Sequence, residues 1–420
     1  MALRKNKAVL YIMVFILVYD VQPIVMGRII NLPLIILILF CFKNILQYHS
    51  RGMHIKQIKL ILVPITFFII CLIEGLVHQA FPHDIGFSYF YIQLIIIMVG
   101  LMTLINIYYG CMNEIQFVKF VIYLGVGQAI IAGIMFFSTE IRRLVSYNFM
   151  TNARVFLENN EMRGFGLSTS TTFNLTVIQS LILFFIVYII GKTSTKRLII
   201  YSFFYMLICF SILLAGRTGL IGIGLSLICL CLYSICGTQK SKYRMFIFYL
   251  LGIVLLLGAN LTIFQSDLTL KWFQWAFEFI YNYKDSGKLT TNSTTEMFQM
   301  YKTLPDNAVT FLFGDGRTIE ETYSSWFQTF MYYKQVDIGY LRMIFYYGFI
   351  FSLVHYVFYT YLIYKATSYN AKVRFLGIVS IIYLLSIELK GLIFTNVSMS
   401  IIIIGIYLIY LKKAILNQQG

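Results

Sequence analysis

Residues 312–317 read LFGDGR and residues 337–348 read DIGYLRMIFYYG, and between them the chain changes from polar to strongly apolar. The first motif lies near the end of a polar block, residues 265–337, and the second opens a long apolar run. A helix needs about 20 apolar residues to cross the hydrocarbon layer of a bilayer. We therefore interpret Asp337 as the boundary between a block outside the membrane and a membrane-spanning helix.

The composition extends this interpretation to the whole chain. Of its 420 residues, 59% are hydrophobic and only 12% are charged, whereas soluble domains carry about 25% charged residues. Backbone polar groups in hydrocarbon must pair within the protein, so apolar runs of this length form helices rather than strands. The predicted fold class is an all-α polytopic membrane protein.

Apolar runs of spanning length predict about twelve transmembrane helices. They lie near residues 8–21, 29–46, 58–77, 88–109, 116–137, 170–190, 198–215, 218–236, 245–264, 338–363, 373–390 and 396–411. The chain is predicted to be one integral membrane domain over residues 1–420, with two sizeable extracytoplasmic loops. These loops cover about residues 138–167 and 265–337.

The placement of basic residues predicts the orientation of these helices. The net charge is +16, from 33 basic and 17 acidic residues. Short loops rich in Lys and Arg stay in the cytoplasm, and the basic clusters fall at the N-terminus and near residues 43–59, 192–197, 240–244, 365–374 and 412–413. This pattern places both termini in the cytoplasm. Topology therefore accounts for the charge, and nucleic acid is not an expected partner.

Several classes of site are disfavoured. The chain has no P-loop, no dinucleotide-binding glycine pattern, no HExxH and no paired aspartate motif. Its seven cysteines lie in apolar runs or at their edges, so no disulfide framework is expected. Its five histidines lack metal-ligand spacing. We predict no metal site and no cofactor.

Arg217 is the most informative charge. It lies in LLAGRTGL, residues 213–220, between two predicted spans with almost no loop. An arginine at membrane depth costs at least roughly 2.5 kcal/mol, which favours a functional role. The alternative is an arginine whose stem lies in the membrane and whose head reaches the interface.

Arg163 and Arg317 are two further arginines on the predicted outer side. Arg163 lies in EMRGFG, residues 161–166, and Arg317 follows the GDG of the first motif. Either could be a solvated loop charge. If they met Arg217 in one outer pocket, the three guanidinium groups would match a pyrophosphate, whose oxygens they bind in bidentate fashion.

Asp337 has two compatible interpretations. It could cap the helix that follows, a position that Asp fills well, or act as a general base whose pKa is tuned by a partly dehydrated site. Arg342, Glu388 and Lys390 are further charges predicted within spans. Glu388 and Lys390 are two positions apart and do not face each other on a helix, so separate partners are expected.

Residues 268–283, LTLKWFQWAFEFIYNY, concentrate aromatic side chains inside the polar block. An interfacial helix at the level of the lipid headgroups is one interpretation, because Trp and Tyr prefer that environment. A surface that contacts a lipid carrier or stacks against sugars is the other.

Three short segments resemble the Wzy/WaaL superfamily of bacterial O-antigen and capsular polysaccharide polymerases and O-antigen ligases. They are GRTGL at 216–220, LFGDG at 312–316, and Asp337 followed by Tyr340-Leu341 and Gly348. The sequence departs from the family where ligases carry His-Asn, since it has Asp337-Ile338, and where Ser often precedes the arginine of the first segment. The missing histidine favours a polymerase over a ligase.

The resemblance implies a GT-C-like fold and a metal-independent glycosyltransferase in the bacterial cytoplasmic (inner) membrane. It would join repeat units carried on undecaprenyl pyrophosphate into O-antigen or capsular polysaccharide. By resemblance Arg217 contacts the pyrophosphate and Asp337 occupies the position of the base. The expected substrate-binding residues are Arg163, Arg317, Tyr340 and Arg342. Expected partners are the lipid-linked donor and acceptor, membrane lipid and a chain-length regulator protein.

Two alternatives remain open at this stage. A lipid-linked oligosaccharide flippase also has about twelve spans, but it has little need of a large outer loop, and no inverted repeat is evident in the sequence. An O-antigen ligase shares the architecture and differs in its acceptor.

Overall fold

The computed structural model describes residues 7–26, 28–47, 55–78, 87–108, 114–149, 163–169, 172–259, 267–287, 290–305, 307–324, 329–368 and 371–419. Residues 150–162 of the first predicted outer loop lie outside this set. So do His49, His54 and His83, three of the five histidines whose spacing does not predict a metal site.

A helix lies over each of the predicted spans. These helices are α1 (Lys7–Tyr19), α2 (Leu32–Gln47), α3 (Ile55–Val77), α4 (Ser88–Tyr108), α5 (Glu114–Phe137), α7 (Thr172–Ile190), α8 (Leu198–Ala215), α9 (Gly219–Cys236), α10 (Lys240–Ala259), α15 (Gly339–Thr367), α16 (Ala371–Glu388) and α17 (Val397–Gln419). Within the described ranges, seven helices are both long and apolar enough to cross a membrane. The all-α membrane class is therefore confirmed, while the number of spans stays a prediction.

Large apolar side chains cover the outside of the bundle. Leu76 is 72% exposed, Phe248 is 74% exposed and Leu255 is 73% exposed. A continuous outer layer of this kind suits contact with lipid chains and would promote aggregation in water. The bundle therefore has the surface expected of a protein embedded in a bilayer.

The remaining helices and the strands belong mainly to the polar segments. They are α6 (Thr139–Asn148), α11 (Asp267–Ala276), α12 (Glu278–Ser286), α13 (Asn292–Met300) and α14 (Ala308–Phe313), with the strand pairs β1 (Ile24–Val25) and β2 (Arg28–Ile29), and β3 (Ile319–Ser324) and β4 (Thr329–Tyr332). Both strand pairs are antiparallel. Helix α6 begins after Ser138, whose hydroxyl accepts a hydrogen bond from the Ile141 N–H at 3.3 Å, and the sequence analysis did not foresee it.

The two ends of the bundle differ in character. At one end the hydroxyl of Thr169, before α7, donates to the carbonyl of Asp20, after α1, at 2.6 Å. At the other end the hydroxyl of Tyr243 donates to the carbonyl of Val187 near the end of α7, at 3.2 Å. The polar block packs at the first end, and the basic clusters near 192–197, 240–244 and 365–374 adjoin the second.

The aromatic stretch 268–283 forms two helices, α11 and α12, that are separated at Phe277. Trp272 and Ala276 of α11 are buried against Ala132 and Phe136 of α5 and against Leu214 of α8. Side chains that were predicted to lie at the membrane interface thus attach the polar block to the end of the bundle.

The two motifs that opened the sequence analysis fold against each other. Helix α15 is interrupted at Gly348, whose φ of 72° and ψ of 174° are not helical. The interruption frees carbonyl groups, and the N–H groups of Asp315 and Gly316 donate to the carbonyls of Phe345 and Tyr346 at 2.6 and 3.2 Å. A side chain at Gly348 would overlap the carbonyl of Leu312. The GDG turn is therefore fastened to the start of α15.

Candidate functional site

Arg217 lies in the short turn between α8 and α9. The turn is closed by backbone hydrogen bonds, among them Leu220 N–H to the Arg217 carbonyl at 3.0 Å. The guanidinium group forms an ion pair with the carboxylate of Glu278 on α12. The tight turn thus presents Arg217 to the polar block.

The segment that begins with Arg163 is held in place by hydrogen bonds from a side chain of α5. Gln128 is fully buried, its Nε2 donates to the Phe165 carbonyl at 2.7 Å, and its Oε1 accepts from the Leu167 N–H at 3.4 Å. Gly166 has a φ of 59° and packs directly on this amide, where a side chain would collide with it. The segment that follows Arg163 is thereby held against the end of α5.

Trp275 of α11 brings Arg163 and Arg217 together. The guanidinium carbon of Arg163 lies 4.6 Å from the centre of the indole, and that of Arg217 lies 5.4 Å from it. Both distances are within the range of a cation–π interaction. Burial, and secondly the charge of Arg217, lower the pKa of Arg163 to about 10.

Lys390 adds a third cation to this group. It lies in the turn after α16, and its ammonium group donates to the hydroxyl of Ser293 on α13 at 3.4 Å. Burial lowers the pKa of Lys390, and the charges of Arg217 and Arg163 lower it further. Sequence analysis counted Lys390 as a membrane-depth charge and left it out of the site. The same reasoning that selected Arg217 would have selected it.

We call Arg163, Arg217 and Lys390, with Trp275 and Glu278, the cation cluster. Its members come from four separate parts of the chain and meet where the polar block covers the end of the bundle. Glu278 offsets one of three positive charges. The excess suits a ligand with several anionic oxygens, because guanidinium and ammonium groups donate charge-assisted hydrogen bonds to phosphate.

Asp337 lies at the start of α15 but does not cap it. The capping residue is Ile338, without a side-chain hydrogen bond, so the capping interpretation was wrong. The helix begins at Gly339, which is packed so closely on Glu388 that an added Cβ would lie 2.6 Å from its Oε1. The Asp337 carboxylate is left to face Arg342, with its Oδ1 3.6 Å from Nη1.

The surroundings of Asp337 alter its acidity. Its side chain is 54% exposed and lies beside Arg342 and Tyr332. Burial by the surrounding protein raises the pKa of the Asp337 carboxyl to about 6, against the lowering effect of the Arg342 guanidinium. A carboxylate with this pKa is ionised at neutral pH and still accepts a proton readily.

Arg342 and Arg317 share a pocket. The guanidinium carbon of Arg342 lies 3.9 Å from the centre of the Tyr332 ring. The pocket is lined by Phe87, Arg317, Thr318, Tyr333, Arg342 and Phe345. Of the three arginines expected to converge, two therefore meet at Trp275, while Arg317 lies with Arg342.

Tyr340, another predicted binding residue, connects two helices. Its hydroxyl donates to the Leu385 carbonyl at 2.9 Å, and its ring lies 5.1 Å from that of Tyr356. Its position ties the first turn of α15 to α16. It therefore supports the neighbourhood of Asp337 and Arg342.

Glu388 and Lys390 have separate partners, as their spacing predicted. The Glu388 carboxylate accepts hydrogen bonds from the Tyr356 hydroxyl at 3.0 Å and from the Ile393 N–H at 2.8 Å. It also attracts Arg342 electrostatically. The turn between α16 and α17 therefore links the cation cluster, through Lys390, to the group around Asp337.

Among the residues with described positions, no three His, Cys, Asp or Glu side chains come together closely enough to hold a metal ion. Comparison with protein-family models and comparison with curated proteins find no match for this chain. The cation cluster and the Asp337 group, which consists of Asp337, Arg342 and Tyr332, are thus the features on which a function is assigned.

Proposed function

We propose that this chain is a polysaccharide polymerase of the bacterial cytoplasmic membrane. It transfers a growing glycan from undecaprenyl pyrophosphate to the sugar of the next lipid-linked repeat unit, forming O-antigen or capsular polysaccharide. The observation that carries the proposal is the convergence of Arg163, Arg217 and Lys390 at the end of a membrane bundle.

The cation cluster is suited to the donor. In the proposed reaction the bond between the anomeric carbon and the pyrophosphate oxygen breaks, and negative charge grows on the pyrophosphate. Positive side chains that are already in position stabilise this charge and need no rearrangement during the reaction. Such stabilisation is a large contribution to catalysis. The arginine pair and Lys390 supply this stabilisation.

The Asp337 group is suited to the acceptor. The acceptor hydroxyl oxygen forms the new bond to the anomeric carbon, and its proton passes to the Asp337 carboxylate. A base with a pKa near the working pH is efficient in this role, and burial raises the pKa of Asp337 to about 6. Arg342, 3.6 Å away, orients the carboxylate.

The arrangement of the bundle supports both roles at one membrane face. A lipid carrier can lie along the apolar outer surface while its head group reaches the cation cluster. The basic clusters at the opposite end favour a cytoplasmic location for that end, which leaves the polar block outside. The family resemblance of residues 216–220 and 312–316 agrees with this reading, and Asp337 in place of the ligase histidine favours a polymerase.

The test is a glycan ladder from cells that lack the gene, complemented with variants. Wild type should restore the ladder, whereas Arg217→Ala and Asp337→Ala should leave single repeat units with normal amounts of protein in the membrane. Arg143→Ala is a matched control, because Arg143 is exposed on α6 at the same end of the bundle. It should behave as wild type.

Normal ladders from both variants would overturn the proposal. Loss of even the single repeat unit from the surface would instead indicate a flippase, which acts one step earlier.

A further inference from the structure

Glu278 already occupies the cation cluster as an internal anion. Its carboxylate is paired with Arg217, and both side chains are largely buried, at 26% and 19% exposure. Helix α12, which carries Glu278, follows α11 directly, and α11 is anchored to the bundle by buried Trp272. The carboxylate is therefore a fixed part of the site, and an anion that binds to Arg217 must displace it or bind beside it.

The charge balance of the cluster separates two classes of lipid. With Lys390 protonated, the three cations and Glu278 leave an excess of two positive charges. A sugar diphosphate diester carries about two negative charges, whereas the phosphodiester of a bilayer phospholipid such as phosphatidylglycerol carries about one. Phospholipids vastly outnumber lipid-linked sugars in the same membrane, so an anion site at this depth needs a means of excluding them.

We infer that Glu278 is a specificity-determining residue, which makes the cation cluster select a diphosphate-linked lipid over monoanionic phospholipids. The inference rests on the proposed function and names the discrimination that its donor site requires. Glu278 acts through Arg217 rather than on the reacting atoms.

The physical reason is that a phosphate can pair with Arg217 only if the ion pair between Arg217 and Glu278 breaks. A single phosphate reaches Arg217 only by displacing a carboxylate of equal charge, so the ion pair that forms replaces one that breaks. A diphosphate carries a second charged group that compensates Arg163 and Lys390 in addition. Discrimination of this kind, in which an unfavourable element rejects the wrong ligand, is a general route to specificity.

The experiment compares Glu278→Gln with wild type. The purified full chain in neutral detergent is mixed with an undecaprenyl diphosphate that carries one sugar and with phosphatidylglycerol at equal concentration, and bound lipids are counted by native mass spectrometry. Wild type should bind the diphosphate preferentially. Glu278→Gln, which keeps the shape and loses the charge, should bind phosphatidylglycerol far better, so that the preference falls by roughly tenfold or more.

Two further variants isolate the effect of the ion pair. Asp285→Asn makes the same change of charge at an exposed position of the same helix, and it should leave the preference unchanged. Glu278→Asp keeps the charge and should retain most of the preference, which a purely structural role for Glu278 does not explain.

The outcomes separate the inference from the function on which it rests. Equal binding of both lipids by wild type, or an unchanged preference in Glu278→Gln, overturns the inference and leaves the anion site in place. A wild-type protein that binds neither lipid overturns the proposed donor site as well.

Discussion

At the scale of single residues, Lys390 contributes to the cation cluster an ammonium group that donates to the Ser293 hydroxyl at 3.4 Å. Hydrogen bonds to charged groups contribute about 1.5–3 kcal/mol. Lys390→Gln should therefore lower kcat/KM by about tenfold or more, and kcat should fall with it because the ammonium group stabilises the charge that grows on the pyrophosphate. Steady-state chain extension over a range of donor concentrations measures this.

Lys302→Gln is the matched control for that change, since Lys302 is exposed just beyond α13. It should leave kcat/KM as in wild type. An unaltered kcat/KM in Lys390→Gln would show that the ammonium group has no part in the donor site.

Asp337 predicts the pH dependence of the reaction. Because burial raises the pKa of its carboxyl to about 6, chain extension should be constant above pH 7 and fall as pH drops through about 6. Asp337→Asn should be inactive at every pH, and Asp285→Asn should keep the wild-type profile. A wild-type rate that stays constant down to pH 5 would exclude Asp337 as the base.

The same shift has a consequence for stability with a definite sign. A carboxyl whose pKa is raised on folding stabilises the protein while protonated, fully below the ordinary pKa of 3.8, and this contribution is lost as pH rises through about 6. At neutral pH Asp337→Asn should therefore unfold at a slightly higher temperature than wild type while lacking activity. The increase should be small, because the side chain is half exposed.

At the scale of elements, the interruption of α15 at Gly348 is what joins the GDG turn to the Asp337 group. The backbone conformation at Gly348 is one that only glycine adopts readily, and other residues there cost roughly 1–3 kcal/mol. Gly348→Ala should therefore lower the thermal unfolding midpoint in detergent, with an added cost from overlap with the Leu312 carbonyl. It should also reduce chain extension by displacing Arg317 and Asp337.

Gly224→Ala on α9 is the control for a glycine in a membrane helix. No atom outside its own helix lies within 4 Å of an added Cβ there, and alanine is the better helix former. Its midpoint should equal or exceed that of wild type. A Gly348→Ala protein as stable as Gly224→Ala would show that the interruption is dispensable.

The aromatic stretch 268–283 shows how far local sequence predicts an element. Its helical character and its apolar face follow from the spacing of Trp272, Trp275 and their neighbours. The break at Phe277, the burial of Trp272 against α5 and α8, and the contact of Trp275 with two arginines depend on partners far away in the chain.

At the scale of the whole molecule, the two ends of the bundle should face different compartments. Asp285 on α12 and Lys240 at the start of α10 are exposed at opposite ends. Asp285→Cys should react with a membrane-impermeant maleimide in spheroplasts, whereas Lys240→Cys should react only after the membrane is opened. The labelling of the native cysteines, measured in wild type, is subtracted from that of each variant. The reverse pattern would place the cation cluster in the cytoplasm and contradict the proposed reaction.

The sequence by itself determined the membrane class, the position of each long helix and the candidacy of Arg217 and Asp337. These properties are local. Every residue of a membrane-spanning helix must suit hydrocarbon, and a charge next to such a helix costs free energy whichever helices pack around it.

The tertiary structure alone decided which charges meet. Arg163, Arg217 and Lys390 lie in three different connections between helices. Arg163 and Arg217 meet at Trp275, Lys390 lies near both of them, and Arg317 lies beside Arg342 instead. This arrangement follows from helix packing and from the folding of the polar block over the bundle. The tertiary structure also decided that α15 begins after Asp337 and that Gly339 packs on the buried carboxylate of Glu388. Contacts between positions so far apart leave no periodic pattern in the chain, so only the folded molecule contains them.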